Sequence, residues 1–222
     1  MSEEPGASIG TTKYKSMLET LAECGLLLGS DALLPSVASI VAGEPIRGSW
    51  WAHSANQEIY HVSEDLSKHP DITVVKLVSG KDTYVHRSLW PAVFAIGIAH
   101  EPWQLDGLSR TAREILEVVA SRGQVLTREI PWLGGAKKDS PGEAARQLAR
   151  KLLVHGEEVH TETGAHAKQL ESWQHWAKRV GLGSSEITVE RAKRKLEGVL
   201  AALNERHDGK GRLPWERPLR SR

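Results

Sequence analysis

The stretch SPGEAARQLARKLLVHGEEVHTET, residues 140–163, decides how the chain is read. Ser140 and Glu143 stand at the spacing of a capping box, with Pro141 at the first helical position. Ala145, Leu148, Ala149 and Leu152 then recur at three and four residues, which predicts a helix from Glu143 to about Leu153 with that face buried. Arg146, Gln147, Arg150 and Lys151 fall outward, as on a helix that reads DNA. From Val154 to Thr163 the residues alternate and end at Gly164, the pattern of one arm of a β-wing. Upstream, Thr111 and Glu114 match a second capping box, for a helix carrying Ile115, Leu116, Val118 and Val119 and stopping at Arg122-Gly123. Thr127 starts a short helix between the two. Three helices followed by a β-wing is the winged-helix order.

The first half has a related order. Tyr14, Met17, Leu18, Leu21 and Leu26 predict a helix from Thr11 to Leu28. Asp31 or Ser30 could cap a second, running through Val37, Ile40 and Val41 to Gly43. Asn56 to His69 reads as a third, ended by Pro70. Thr73–Val78 and Thr83–Arg87 are β-rich runs joined by Ser-Gly-Lys-Asp, a hairpin signal. Ser88 caps a helix through Trp90 and Phe94, and residues 101–108 read as a linker. Further helices are expected over Leu170–Val180 and Val189–Leu203, with a disordered basic tail from Asp208. The expected class is a helix-rich α+β fold of tandem winged-helix-like modules with short β-hairpins. Its divisions are a tail (1–10), an N-terminal helix and hairpin module (11–103), a winged-helix module (104–180), a C-terminal helix (181–207) and a basic tail (208–222).

A chain of 222 residues with 40% hydrophobic and 26% charged residues can bury a substantial core. A net charge of +1 argues against strong nonspecific nucleic-acid binding, because phosphate affinity scales with the cations presented. The charge is uneven: residues 183–222 hold ten Lys/Arg against six Asp/Glu, leaving the remainder at about −3. One cysteine, Cys24, excludes an intrachain disulfide and a cysteine-rich zinc site. No signal-peptide pattern or membrane-length apolar run is present, so a cytoplasmic protein without membrane contact is expected. Eight Trp stand against three Tyr and one Phe, and five or six of them are expected in the core.

The residues suited to chemistry concentrate between Gly48 and Arg87. Trp50 and Trp51 follow a glycine turn. In a strand they would face opposite ways, one into the core and one free to stack on a base; the alternative is that both are structural. Glu58, in the first turn of its helix, and His53 could direct a water or stabilise a cationic sugar during cleavage of a glycosidic bond. The alternative is a helix-capping Glu58 and a His53 packed on indole. Lys76, Lys81, His86 and Arg87 line the ribbon as phosphate contacts or as a solvated edge. A lysine could also form a Schiff base at an abasic sugar, though neither Lys76 nor Lys81 is singled out for it. Gln104 and Asp106 could offer an amide and a carboxylate to one substrate, or belong to the linker. His155, Glu158, His160, Glu162 and His166 form a His/Glu cluster whose spacing matches no metal motif, so a polar patch is the reading and no metal or cofactor is expected. Phosphate-loop, nucleophile-elbow, zincin and dinucleotide motifs are all missing.

With these residues in view, the chain resembles the bacterial winged-helix DNA glycosylases of the alkylpurine and crosslink-repair group. The resemblance rests on the tandem order across roughly residues 11–180 and on the Gln104-Leu105-Asp106 triplet. It implies base excision with Gln104 and Asp106 near a nucleophilic water, although here the pair follows the hairpin–helix unit instead of lying in an early strand. A looser likeness is to phage-defence glycosylases that remove modified bases. The expected function is hydrolysis of the N-glycosidic bond of a flipped, damaged or modified base in DNA. Glu58, His53 and Asp106 would be catalytic, Trp50, Trp51 and Gln104 would hold the base, and Lys76, Lys81, His86, Arg87, Arg146 and Arg150 would hold the nucleic acid. The alternatives are a non-catalytic winged-helix regulator and a protein-interaction module on the same scaffold.

Overall fold

Two glycines and a run of leucines set the course of the first unit. The computed structural model describes residues 9–131, 140–160, 166–183 and 187–216. Helix α1 (Ile9–Cys24) ends where Gly25 takes a φ of 77°, a left-handed turn that L side chains avoid. A Cβ there would also fall 2.7 Å from Leu89. The expected helical continuation to Leu28 does not form. Leu26–Leu28 is strand β1 instead, with Leu26 and Leu28 in one apolar cluster and Leu27 in another. A strand sends successive side chains to opposite faces, so one buried on both sides reads as an unbroken apolar run.

Helix α2 (Val37–Ala42) is capped by Ser36, whose hydroxyl accepts the Ser39 N–H at 3.2 Å, and ends at Gly43 with φ 75°. Asp31, one of the expected caps, instead accepts the N–H groups of Leu33 and Leu34 in the preceding turn. Helix α3 (Asn56–Ser67) buries Ile59, Val62 and Leu66. Strands β2 (Ile72–Lys76) and β3 (Asp82–His86) complete an antiparallel sheet of order β1-β3-β2. Helix α4 (Trp90–Gly97) follows.

The second unit opens with an element that replaces the expected linker. Helix α5 (Pro102–Leu105) has a capping box between Glu101 and Gln104. Helix α6 (Arg110–Arg122) is capped by Ser109 rather than Thr111, and leads into β4 (Gln124–Leu126) and a 3-10 turn over Thr127–Glu129. Helix α7 (Pro141–Arg150) starts at Ser140 as its spacing indicates. Strands β5 (His155–His160) and β6 (His166–Glu171) give a sheet of order β4-β6-β5. Helices α8 (Trp173–Arg179) and α9 (Val189–His207) close the series. Among the described residues the fold is thus helix-rich α+β, with nine α-helices and two three-stranded antiparallel sheets. The first unit runs helix, strand, short helix α2, 3-10 turn, helix and two strands; from α6 the second runs helix, strand, 3-10 turn, helix and two strands, and both sheets place the third strand between the first two.

One core joins the units. Trp173 and Trp176 of α8 meet Trp90 of α4, with Trp90 and Trp176 edge to face at 5.3 Å between centroids. Leu196, Leu200 and Leu203 of α9 and Leu213 belong to the same cluster. Residues 208–216, within the expected disordered tail, are ordered. Ser79 donates its N–H to the Arg212 carbonyl, Asn204 holds both the N–H and the carbonyl of Gly211, and Trp215 donates to Glu197. The reason is apolar: Leu213 is buried, and Leu34 lies against Gly209 and Gly211.

At Gly97 an added Cβ would collide with the indole nitrogen of Trp173. That ring has no room to retreat, since it is 1% exposed and its N–H donates to the Leu152 carbonyl at 2.7 Å. Helix propensity alone favours Ala over Gly by about 1 kcal/mol. Overpacking outweighs it, so Gly97→Ala is expected to lose roughly 1–3 kcal/mol in a denaturant titration. Gly198→Ala, at an open position in α9, should gain stability instead. Equal effects at the two sites would refute this account of the core.

Candidate nucleic-acid groove

The Trp50-Trp51 pair does not lie in a strand. Residues Trp50–Ala52 form a 3-10 turn, which stacks the two indoles on one another with centroids 4.1 Å apart and planes 23° from parallel. Trp50 packs on the first unit's core, while Trp51 is 60% exposed and leans toward Tyr60 of α3 at 6.1 Å. The Asn56 amide donates to the Trp51 carbonyl at 2.9 Å and pins the turn to the start of α3.

These rings border a groove of about 810 Å³ between the two units. Trp50, Trp51, Tyr60 and Glu64 form one side, β2 forms the floor, and Gly156–Glu158, Lys168 and Arg179 form the other side. Its volume lies in the range of small-molecule and cofactor sites. Tyr84 also lines it; burial pushes its phenol up to about 12, and it donates to the Ser63 carbonyl, so it serves as a donor rather than a base.

The residues expected to act together beside the indoles are separated. His53 and Glu58 do not line the groove. The His53 ring accepts the Ala55 N–H and meets Glu44 at 3.1 Å, and Glu58 pairs with Lys13 of α1 at 3.2 Å. Gln104 is fully buried: its oxygen accepts the Glu101 N–H and its nitrogen donates to the carbonyls of Ile96 and Lys151. It therefore stitches helix ends together. Asp106 ends α5 on the surface, outside the groove.

Most of the expected phosphate-binding cations carry their own anion. Lys76 pairs with Asp82, Lys81 with Asp31, and Arg87 with Asp71, each at 2.7 Å, and Arg146 pairs with Glu143 at 2.6 Å. The His86 ring meets the Ser88 hydroxyl at 3.0 Å, and Arg150 is exposed at the end of α7. Exposed ion pairs contribute about 0–1 kcal/mol, so phosphates could displace the partner carboxylates. Of these cations only Lys76 borders the groove.

A buried polar cluster adjoins the groove, with Thr73, His155 and Arg179 among the groove's lining residues. His155, 5% exposed, meets the Thr73 hydroxyl of β2 through Nε2 at 2.9 Å and so bridges the two units. Its Nδ1 has no hydrogen-bond partner among the described residues and stands 3.6 Å from the Glu171 carboxylate. Glu171, 2% exposed, accepts from His175 at 2.6 Å and from two nitrogens of Arg179, at 2.8 and 3.0 Å. Burial would raise its pKa, but the adjoining His155 ring, Arg179 and His175 outweigh that and hold it well below the ordinary carboxylate range. The four-residue spacing of Glu171, His175 and Arg179 is visible in the sequence; nothing local ties them to Thr73 or His155. Of the expected His/Glu cluster, Glu162 and the side chains of His160 and His166 lie outside the described residues. Among the described residues no group of three or more His, Cys, Asp or Glu could hold a metal ion, and no helix is long and apolar enough to cross a membrane.

A protein-family model described as AlkZ related matches residues 11–211, a span that includes both units and the groove between them. No curated protein and no solved structure matches the chain.

Proposed function

We propose, from the premise that the chain belongs to the AlkZ-related family, that it is a DNA glycosylase which hydrolyses the N-glycosidic bond of a damaged or modified base flipped out of the duplex. AlkZ itself is a DNA crosslink-repair glycosylase. The observation that carries the reading is the groove, which sets an exposed stacked indole beside carboxylates in a space large enough for a nucleoside. A base leaving the stack needs a flat apolar surface, and the cationic sugar left behind needs a nearby anion and a directed water. Trp51, backed by Trp50 and Tyr60, supplies the surface. Glu64, Asp82, Glu157 and Glu158 border the groove and take the place of Glu58 and Asp106 as candidate anions.

In this reading the repeated units are tandem winged-helix modules. Helix α7 presents Arg146 and Arg150 to the duplex, and the β5–β6 ribbon is a wing. Repair of damaged bases and defence against modified phage DNA both fit such a site.

The test is incubation with alkylated, crosslinked and modified-phage DNAs, scored for abasic sites by alkaline cleavage. The expected result is abasic sites on at least one substrate, abolished with binding retained by one of Glu64→Gln, Asp82→Asn, Glu157→Gln or Glu158→Gln. Glu58→Gln and Asp106→Asn should stay active. No abasic sites on any DNA, with tight binding to one palindrome, would replace the enzyme with a winged-helix regulator.

A further inference from the structure

Three lysines border the groove, and they are not equivalent. Lys68 pairs with Glu64 and Lys76 with Asp82, both at 2.7 Å, whereas Lys168 of β6 forms no ion pair among the described residues. Its side chain passes Gly156, where an added Cβ would lie in ordinary contact, 4.0 Å, with the Lys168 Cε. Glu158 stands directly opposite in the β5–β6 register. Lys76 and Arg146 add positive charge nearby, and Asp82 joins Glu158 on the negative side. Burial, the larger cause, and the charge of Lys76 lower the pKa of the Lys168 ammonium, which enlarges the neutral, nucleophilic fraction of its amine.

We propose that Lys168 is the nucleophile of a second activity in this groove, the cleavage of a DNA strand at an abasic site through a Schiff base. The unprotonated Nζ adds to the C1′ aldehyde of the ring-opened deoxyribose, and the carbinolamine loses water to give a protonated imine. Glu158 takes a proton from C2′. That electron pair forms the C2′–C3′ double bond as the C3′–O bond breaks and the 3′ phosphate leaves. Water then hydrolyses the imine and frees Lys168. The sequence consumes no oxidant and no metal, and the neighbouring Lys76 and Arg146 are placed to hold the phosphates on either side. The proposal shares its groove with the glycosylase reading and concerns the sugar that base excision leaves.

The experiment uses an oligonucleotide whose abasic site is made beforehand by a separate uracil glycosylase, mixed with the full-length protein and sodium borohydride. Reduction of the imine should fix a covalent protein–DNA adduct on a denaturing gel, and mass spectrometry of the digested wild-type adduct should place it on Lys168. Lys168→Gln should lose the adduct, while Lys68→Gln, at a groove lysine with no part in the reaction, should keep it. No adduct with the wild-type protein, or an adduct mapped to another amine, overturns the proposal. Mapping on the wild-type chain decides the matter even if a variant folds poorly. The substrate already lacks its base, so failure here leaves base excision standing, and failure of base excision leaves this result intact.

Discussion

Glu171→Ala is expected to lower the unfolding free energy by about 3 kcal/mol, the scale for removing one partner of a buried ion pair. For a chain of this size that corresponds to a fall of about 10 °C in the thermal midpoint. Removing the carboxylate leaves Arg179 and His175 without their shared acceptor and leaves His155 buried beside an empty space. Arg179 is 43% exposed and can turn toward water, which holds the loss near the lower end of the range. The same residue gives stability a pH dependence of definite sign. Its folded pKa is depressed below the ordinary 4.5, so its contribution is complete above that value and is lost as the pH falls toward the folded value. Glu171→Gln should flatten that acid limb. A wild-type acid limb that the Gln variant reproduces unchanged would show that the cluster does not govern it.

The second large effect falls on activity. Trp51→Ala should lower kcat/KM for base excision roughly tenfold to a hundredfold, because stacking a base on an aromatic ring is worth about 1–3 kcal/mol. Its thermal midpoint should hardly move, since the ring is 60% exposed. Trp51→Phe should recover part of the rate. Trp50→Ala combines both costs: Trp50 packs on the core and is also the surface on which Trp51 rests. Full activity in Trp51→Ala would remove the indole from the mechanism and leave the groove without its stacking wall.

Much of the local structure is legible in the residues themselves. Ser140 caps α7, Gly43 and Gly123 end their helices, and the Ile72–His86 hairpin lies within one or two residues of its expected bounds. Each is decided by one or two neighbouring side chains, through a hydroxyl reaching an N–H or a backbone angle only glycine takes easily. The three-leucine strand β1 is misread as helix for the complementary reason: it is buried on both faces, so the alternation that marks a strand is invisible in composition. Within residues 101–108, expected as a linker, Pro102–Leu105 forms a helix, and the buried Gln104 ties it to α4 and to Lys151.

The site divides along the same line. A double tryptophan, flanked by polar and charged residues, is visible in the chain as a candidate surface for a base. What the neighbours of that surface are depends on how the two units dock. Trp90, Trp173 and Trp176 bury themselves against one another and so bring β2 beside β5. That docking places Lys168, Glu158 and His155 in the groove and leaves Glu58 and His53 outside it. By itself the sequence determined most of the helix ends and the hairpin, because caps and turns act over a few residues. Only the tertiary structure decided which charges share a cavity, because burial of apolar surface acts between residues far apart in the chain and takes no account of their spacing.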